Sequence, residues 1–184
     1  MTGDGWPLEL SGVTESIVTT LGPNDRWNVA VLGLFAGEVI TARTWGRTRT
    51  RRNFHERGEG YVQFTRDPVD FVEAACSIRE EASPILDSAD AWVRVAVESI
   101  GTGEDWEEWA LTPVESGIEQ RVVPTTNRGY YAIVEATVAA SRLDVPEYDT
   151  DELRAQIDRA ESVVERCGGD RERAAWERFE ELVE

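Results

Sequence analysis

"RTWGRTRTRRNF" runs from Arg43 to Phe54, and its charge contradicts the chain around it. The 184 residues carry a formal net charge of −17, yet five arginines fall within residues 43–52. Arg57 adds a sixth against Glu56 alone, so residues 43–57 hold a local charge of +5. The stretch also marks a change of period. Before it, "EVITART" (Glu38–Thr44) alternates as a strand, with Val39, Thr41 and Arg43 on one face. After it, "TRRNFHERGEG" reads as a short helix closing at Gly58 or Gly60. A strand-to-helix junction dense in threonine and arginine is where fold and chemistry meet in this chain.

Upstream of the junction, "GVTESIVTTL" (Gly12–Leu21) and "RWNVAVLGLF" (Arg26–Phe35) are β-rich and separated by the turn cluster "GPND". With Glu38–Thr44 they predict an antiparallel meander. Downstream, "YVQFT" (Tyr61–Thr65) is a further strand. "DPVDFVEAACSI" opens a helix with Asp67 as cap and Pro68 in the first turn, its apolar stripe being Phe71, Ala74, Ala75 and Ile78. "AWVRVAVESIG" (Ala91–Gly101) and "WEEWALTPVESG" form two arms about the turn "TGED". Six or seven strands with one or two inserted helices suit a small β-barrel.

From Thr125 the pattern turns helical. "TNRGYYAIVEATVAASRL" predicts a helix capped by Thr126 or Asn127, with Tyr131, Val134 and Val138 facing the core. Arg128, Glu135 and Arg142 share one face at seven-residue spacing and could line a polar groove. Beyond them, Leu153, Ile157, Ala160 and Val164 form one stripe and Ala175, Phe179 and Leu182 another, on either side of Gly168-Gly169. This is a helical hairpin with acidic outer faces. The expected division is a barrel domain over residues 1–124 and a helical subdomain over 125–184.

Composition narrows the setting. All 19 basic residues are arginine, against 36 acids. Such self-repulsion weakens a compact state unless salt screens it, and at 1 M the screening length falls to roughly 3 Å. The chain reads as a protein of a salt-rich cytoplasm, most simply that of a haloarchaeon. Overall charge and salt both oppose nucleic-acid binding. No run of about 18 apolar residues predicts a membrane span, and "MTGDGWPLEL" lacks the basic start of a signal peptide. Cys76 and Cys167 have no metal-type spacing and read as buried thiols. His55, the only histidine, has no partner visible in the sequence for a zinc site or a catalytic triad.

The junction itself offers hydroxyls at Thr44, Thr48 and Thr50, an amide at Asn53, and guanidinium groups at Arg47, Arg49 and Arg51. The three arginines alternate onto one side if the chain stays extended. If a helix opens near Thr50, its free N–H groups and positive dipole end add anion affinity. Such a set suits a terminal phosphate. It equally describes a solvated arginine edge that blocks sheet pairing. No G-x-x-x-x-G-K-[ST] motif is present, so this is no P-loop.

The spacing Thr50-x-x-Asn53 resembles that of the FMN-binding split-barrel proteins, where T-x-x-N at a strand-to-helix junction holds the flavin phosphate. The whole chain resembles a mainly archaeal family of that class, domain of unknown function 447. "NVAVLGL" (Asn28–Leu34), "GRTRTRRNF" (Gly46–Phe54), "TRDPVDFVEAA" (Thr65–Ala75) and "NRGYYAIVEATVAASRL" (Asn127–Leu143) carry the likeness in order along most of the chain. It departs from the pattern at Val31, where proline is more usual, and in its heavier arginine load.

The resemblance implies an α+β protein, an FMN-binding split β-barrel with a C-terminal helical subdomain. It implies phosphate binding by Thr50 and Asn53, assisted by Thr48, Arg43, Arg47 and Arg49, with backbone around Asn28 and Gly33 approaching the flavin ring. Trp45 is a candidate flavin neighbour, and Arg128, Glu135 and Arg142 order the site or the dimer, or serve as structural salt bridges. A homodimer, FMN as cofactor and a small-molecule electron donor or acceptor follow from the same likeness. The function it implies is a flavin-dependent oxidoreductase of the flavin-reductase type; the alternative is a non-catalytic flavin-binding module for storage or a partner complex. With the cofactor doing the hard chemistry, the sequence need not display an acid–base pair.

Overall fold

In the computed structural model, which describes residues 2–183, the chain runs β1 (Thr2–Gly3), β2 (Val13–Leu21), β3 (Trp27–Phe35), β4 (Ile40–Trp45), α1 (Arg49–Arg57), β5 (Glu59–Thr65) and α2 (Pro68–Cys76). It continues through β6 (Arg79–Glu81), β7 (Ala89–Thr102), β8 (Trp106–Ile118), α3 (Arg128–Ala140), α4 (Thr150–Cys167) and α5 (Asp170–Val183). The chain divides into two compact units, 1–66 with 79–122, and 67–78 with 123–184. The second unit is discontinuous: α2, which a linear division at 124/125 leaves with the barrel, packs with the C-terminal helices. The apolar face of α2, with Val72 fully buried, is complementary to those helices.

The first unit is a barrel. Strands β2, β3, β4, β8, β7 and β5 pair in that order, all antiparallel, and the ring closes because β5 pairs β2. Alternation supplies the core: Val18, Leu32, Leu34, Val62, Val93, Val95, Trp109 and Leu111 point inward. Two strands were not legible in the sequence, β1 against β8 and β6 against β3. The second matters for the site. Leu34 and Phe35 of β3 pair with β4, whereas Trp27, Asn28 and Val29 pair with β6. The barrel wall is therefore split along β3. Helix α1, which follows β4, sends Phe54 into the core at 1% exposure. Gly58 ends α1 with a left-handed φ of 67°, and its N–H donates to the Phe54 carbonyl, a conformation that glycine adopts without strain.

The second unit holds α2 to α5. Asp67 caps α2 as its sequence predicts, accepting from the Val69 and Asp70 N–H groups, but the helix ends at Cys76. Ile78 consequently lies outside it, 77% exposed, and Ala75 faces out; the stripe is Phe71, Val72 and Ala74. Helix α3 also corrects its expected face. Asn127 caps it, and its buried residues are Gly129, Ala132, Ile133, Ala136, Thr137 and Ala139, while Tyr131 is 55% exposed and Val134 and Val138 are only half-buried. Small side chains face inward because α3 and α4 approach closely: a Cβ on Gly129 would stand 2.8 Å from the Gly168 Cα. Arg128, Glu135 and Arg142 are exposed, and Arg142, beyond the end of α3, stacks over Tyr148 at 5.1 Å. Arg178 of α5 binds Glu73 of α2 at 2.5 Å. Both cysteines are free and half-buried; burial, then the Glu73 charge, push the Cys76 thiol up to about 11.

Candidate anion-binding cleft on helix α1

The junction resolves as a capped helix start. Thr48 is extended (φ −84°, ψ 159°), and its Oγ1 accepts the Arg51 N–H at 3.2 Å. Its carbonyl accepts the Arg52 N–H at 3.2 Å. The N–H groups of Arg49 and Thr50 are the first turn's remaining donors. Because the helix opens at Arg49, the extended alternation of Arg47, Arg49 and Arg51 does not apply; helical spacing sorts the side chains instead.

One face turns inward with Phe54. Thr50 is buried, and its Oγ1 accepts from Asn28 Nδ2 at 3.4 Å. Asn53 is fully buried. Its Nδ2 donates to Thr20 Oγ1 at 3.0 Å and to the Thr20 carbonyl at 3.4 Å. Its Oδ1 accepts from Arg52 Nε at 3.3 Å and Nη2 at 3.1 Å. The amide therefore ties α1 to β2 with one end and aims a guanidinium with the other.

The outer face forms an open cleft of about 300 Å³ lined by Arg47, Thr48, Arg49, Arg51, Arg52 and His55. Two of its four arginines are answered by carboxylates. Arg49 binds Glu80 of β6 at 2.8 Å, and Arg51 binds Glu107 of β8 at 2.8 Å. Arg47 and Arg52 have no carboxylate partner among the described residues. The cleft thus keeps two uncompensated positive charges beside a helix N-terminus, close to the −1.5 to −2 of a phosphate monoester at neutral pH.

Glu107 is the hub beneath the cleft, 2% exposed. Its Oε2 receives Arg51 Nε at 2.8 Å and faces His55 Nε2 at 2.8 Å, while Oε1 accepts from Ser99 Oγ at 2.6 Å. Burial pushes its carboxyl up, but hydrogen bonds from Ser99, His55 and Arg51, with the His55 charge, outweigh burial and hold it below the usual carboxylate range. Arg51 also donates Nη1 to the Gly46 carbonyl at 3.1 Å, fixing the chain entering α1.

Of the site residues expected from the sequence, Arg47, Thr48 and Arg49 line the cleft, and Asn28, Thr50 and Asn53 stand behind it. Arg43 and Gly33 lie elsewhere. Arg43 pairs with Glu108 at 3.1 Å and stacks over Trp106 at 5.0 Å, an arrangement of β4 with β8. Gly33 sits five positions along β3 from Asn28, about 17 Å at the usual rise and on the opposite face, with Glu15 its cross-strand partner. Trp45 is 61% exposed and pairs with Trp106 across the strands, outside the cleft lining. Arg52, His55 and Glu107 were missed. The i, i+3, i+4, i+7 face of Thr48, Arg51, Arg52 and His55 was the available signal.

A six-stranded antiparallel barrel split along one strand, with a helix entering at that strand and a helical unit appended, defines the split β-barrel class of α+β proteins. Within it, this chain belongs to the DUF447 family of proteins of unknown function, whose N-terminal domain matches residues 14–120 and whose remaining part matches residues 127–181. An FMN-bound protein of this family from Methanosarcina mazei is 26% identical, with 94% of this chain and 96% of that one covered and a TM-score of 0.84. The styrene monooxygenase flavin reductase of Pseudomonas putida S12 is 13% identical over 61% of this chain and 93% of that one, with a TM-score of 0.49. A flavin reductase domain protein from Arthrobacter is 11% identical over 62% and 80% of the two chains, with a TM-score of 0.48. A search of curated proteins returns no match.

Proposed function

We propose that this chain binds FMN, holds its phosphate in the α1 cleft, and serves as an oxidoreductase of the flavin-reductase type. The carrying observation is the donor set: Arg47 and Arg52, without carboxylate partners among the described residues, beside the first-turn N–H groups of Arg49 and Thr50. A relative that is FMN-bound and similar over 94% of this chain supports the same ligand. Bound flavin would supply the redox chemistry. The chain's own residues bind and orient: Thr48 offers its hydroxyl, Arg47 and Arg52 neutralise the phosphate, and Asn53 acts as a positioning residue behind Arg52.

Protein purified in concentrated potassium chloride is expected to show visible flavin absorbance or to acquire it with added FMN. Colourless protein that takes up no FMN overturns the reading. Oxidation of NADH or NADPH by the flavin-loaded protein, with an added acceptor, tests the oxidoreductase; loaded protein that never turns over would instead be a flavin-binding module. The lysine-free acidic composition supports a salt-rich archaeal cytoplasm as the setting, and the split-barrel class supports a homodimer. Light scattering in concentrated salt is expected to give twice the 20.6 kDa chain mass, with the compact particle lost on dialysis to low salt. A monomer, or a particle indifferent to salt, contradicts the respective half of that proposal.

A further inference from the structure

Arginine alone satisfies the charge of a phosphate in this cleft, yet the cleft also contains a histidine fixed on two sides. His55 follows Arg51 and Arg52 by one helical turn and lines the cleft with them. Its Nε2 stands 2.8 Å from Glu107 Oε2, and its ring packs edge-on to Trp109 with centroids 5.0 Å apart and planes at 70°. Glu107, already receiving Arg51 and Ser99, is a carboxylate and only accepts, so the Nε2 facing it carries the hydrogen. That assignment leaves Nδ1 as the ring's variable atom: a lone pair in the neutral ring, an N–H donor in the charged one. Nδ1 has no hydrogen-bond partner among the described residues, and the side chain is 54% exposed.

We propose that His55 is a proton-linked ligand of the bound phosphate, charged at Nδ1 when the anion is present, so that binding takes up a proton. This rests on the cleft being the phosphate site. The groups facing His55 set the balance. From α1, Arg51 and Arg52 oppose its charging, as do Arg47 and Arg49 across the cleft. From β8, Glu107 favours it and Trp109 packs against the ring, while the Ser99 hydroxyl of β7 donates to Glu107 and the Thr44 hydroxyl of β4 accepts from Trp109. A phosphate dianion in the cleft adds negative charge opposite the arginines and shifts the balance toward the charged ring. His55 is therefore more easily protonated in the complex than in the free protein. By linkage, the contribution of this contact to affinity is largest at the acid end and is lost as pH rises. Glu107 acts here as a positioning residue, holding the ring and fixing which nitrogen faces the anion.

The test is FMN affinity, read by flavin fluorescence from about pH 6 to about pH 9, for the wild-type protein and His55→Gln. FMN's own phosphate titration, near pH 6, is common to both proteins and cancels in the ratio of their dissociation constants. The variant is expected to bind about tenfold more weakly at the acid end and within about twofold of wild type at the alkaline end. A ratio near one throughout, or one that does not change with pH, overturns the proposal. Calorimetry of the wild type alone gives a second reading. At about pH 7.5 FMN is already a dianion, so proton uptake measured in two buffers of different ionisation heat comes from the protein. Zero uptake overturns the proposal. Wild-type protein that binds no FMN at any pH overturns the phosphate-cleft reading, and this one with it. Binding with a flat ratio removes only the role of His55.

Discussion

Glu107→Ala is expected to lower the stability of the barrel by about 3 kcal/mol. One buried carboxylate on β8 receives a guanidinium and an imidazole from α1 and a hydroxyl from β7. Truncating it leaves Arg51, 23% exposed, without its charge partner. Removing one member of such a pair is far more destabilising than replacing both, because the other charge stays desolvated. Chemical denaturation in fixed concentrated salt measures the effect, and a loss below about 1 kcal/mol would show that the hub is not structural. The pH dependence has a definite sign. The folded carboxyl lies below its unfolded value, so its stabilisation is present above the unfolded carboxylate range and lost as pH falls through the folded value. The gap between wild type and Glu107→Ala should therefore close on the acid side; a gap that widens there contradicts the assignment.

The hub shows where sequence reading stops. "EDWEEWAL" places Glu107 in register with the inward Trp109 and Leu111, so its burial was legible as a polar exception in an apolar face. Its partners were not, because His55 lies 52 residues away and only barrel closure brings β8 beneath α1. Local signals fared well. Asp67 before Pro68, Gly58 after Arg57 and the Gly168-Gly169 break all end or start helices where expected. Each acts on the chain within a few residues of itself, Asp67 through its capping side chain and Gly58 through its left-handed φ, and needs no distant contact. Strands β1 and β6 are two and three residues long, too short for alternation to register. Helix α3 misled because bulk is a poor guide when helices meet closely; its alanines and Gly129 face in. The T-x-x-N pair was visible, but its burial depended on where α1 begins. With Arg49 as the first helical residue, Thr50, Asn53 and Phe54 share the inward face.

That burial changes the effect expected at Asn53. A direct phosphate ligand and a positioning residue both weaken FMN binding when cut to alanine, by roughly 10- to 100-fold for a lost charge-assisted contact worth about 1.5–3 kcal/mol. They differ in coupling. Among the described residues, Asn53 reaches the cleft through the two hydrogen bonds that hold Arg52. Asn53→Ala releases that guanidinium, and Arg52→Ala deletes it, so the two substitutions should remove the same interaction. The double variant is then expected to bind FMN about as weakly as Arg52→Ala alone, a strongly non-additive cycle. Additive losses would mean that Asn53 contacts the ligand itself, which requires the α1 turn to rearrange on binding. Stability separates the roles further. Asn53→Ala also strands the Thr20 carbonyl and hydroxyl that its amide serves on β2, costing about 1–3 kcal/mol, whereas Arg52→Ala leaves those bonds intact. Thermal unfolding of the two single variants should therefore rank Asn53→Ala well below Arg52→Ala, even where their FMN affinities coincide.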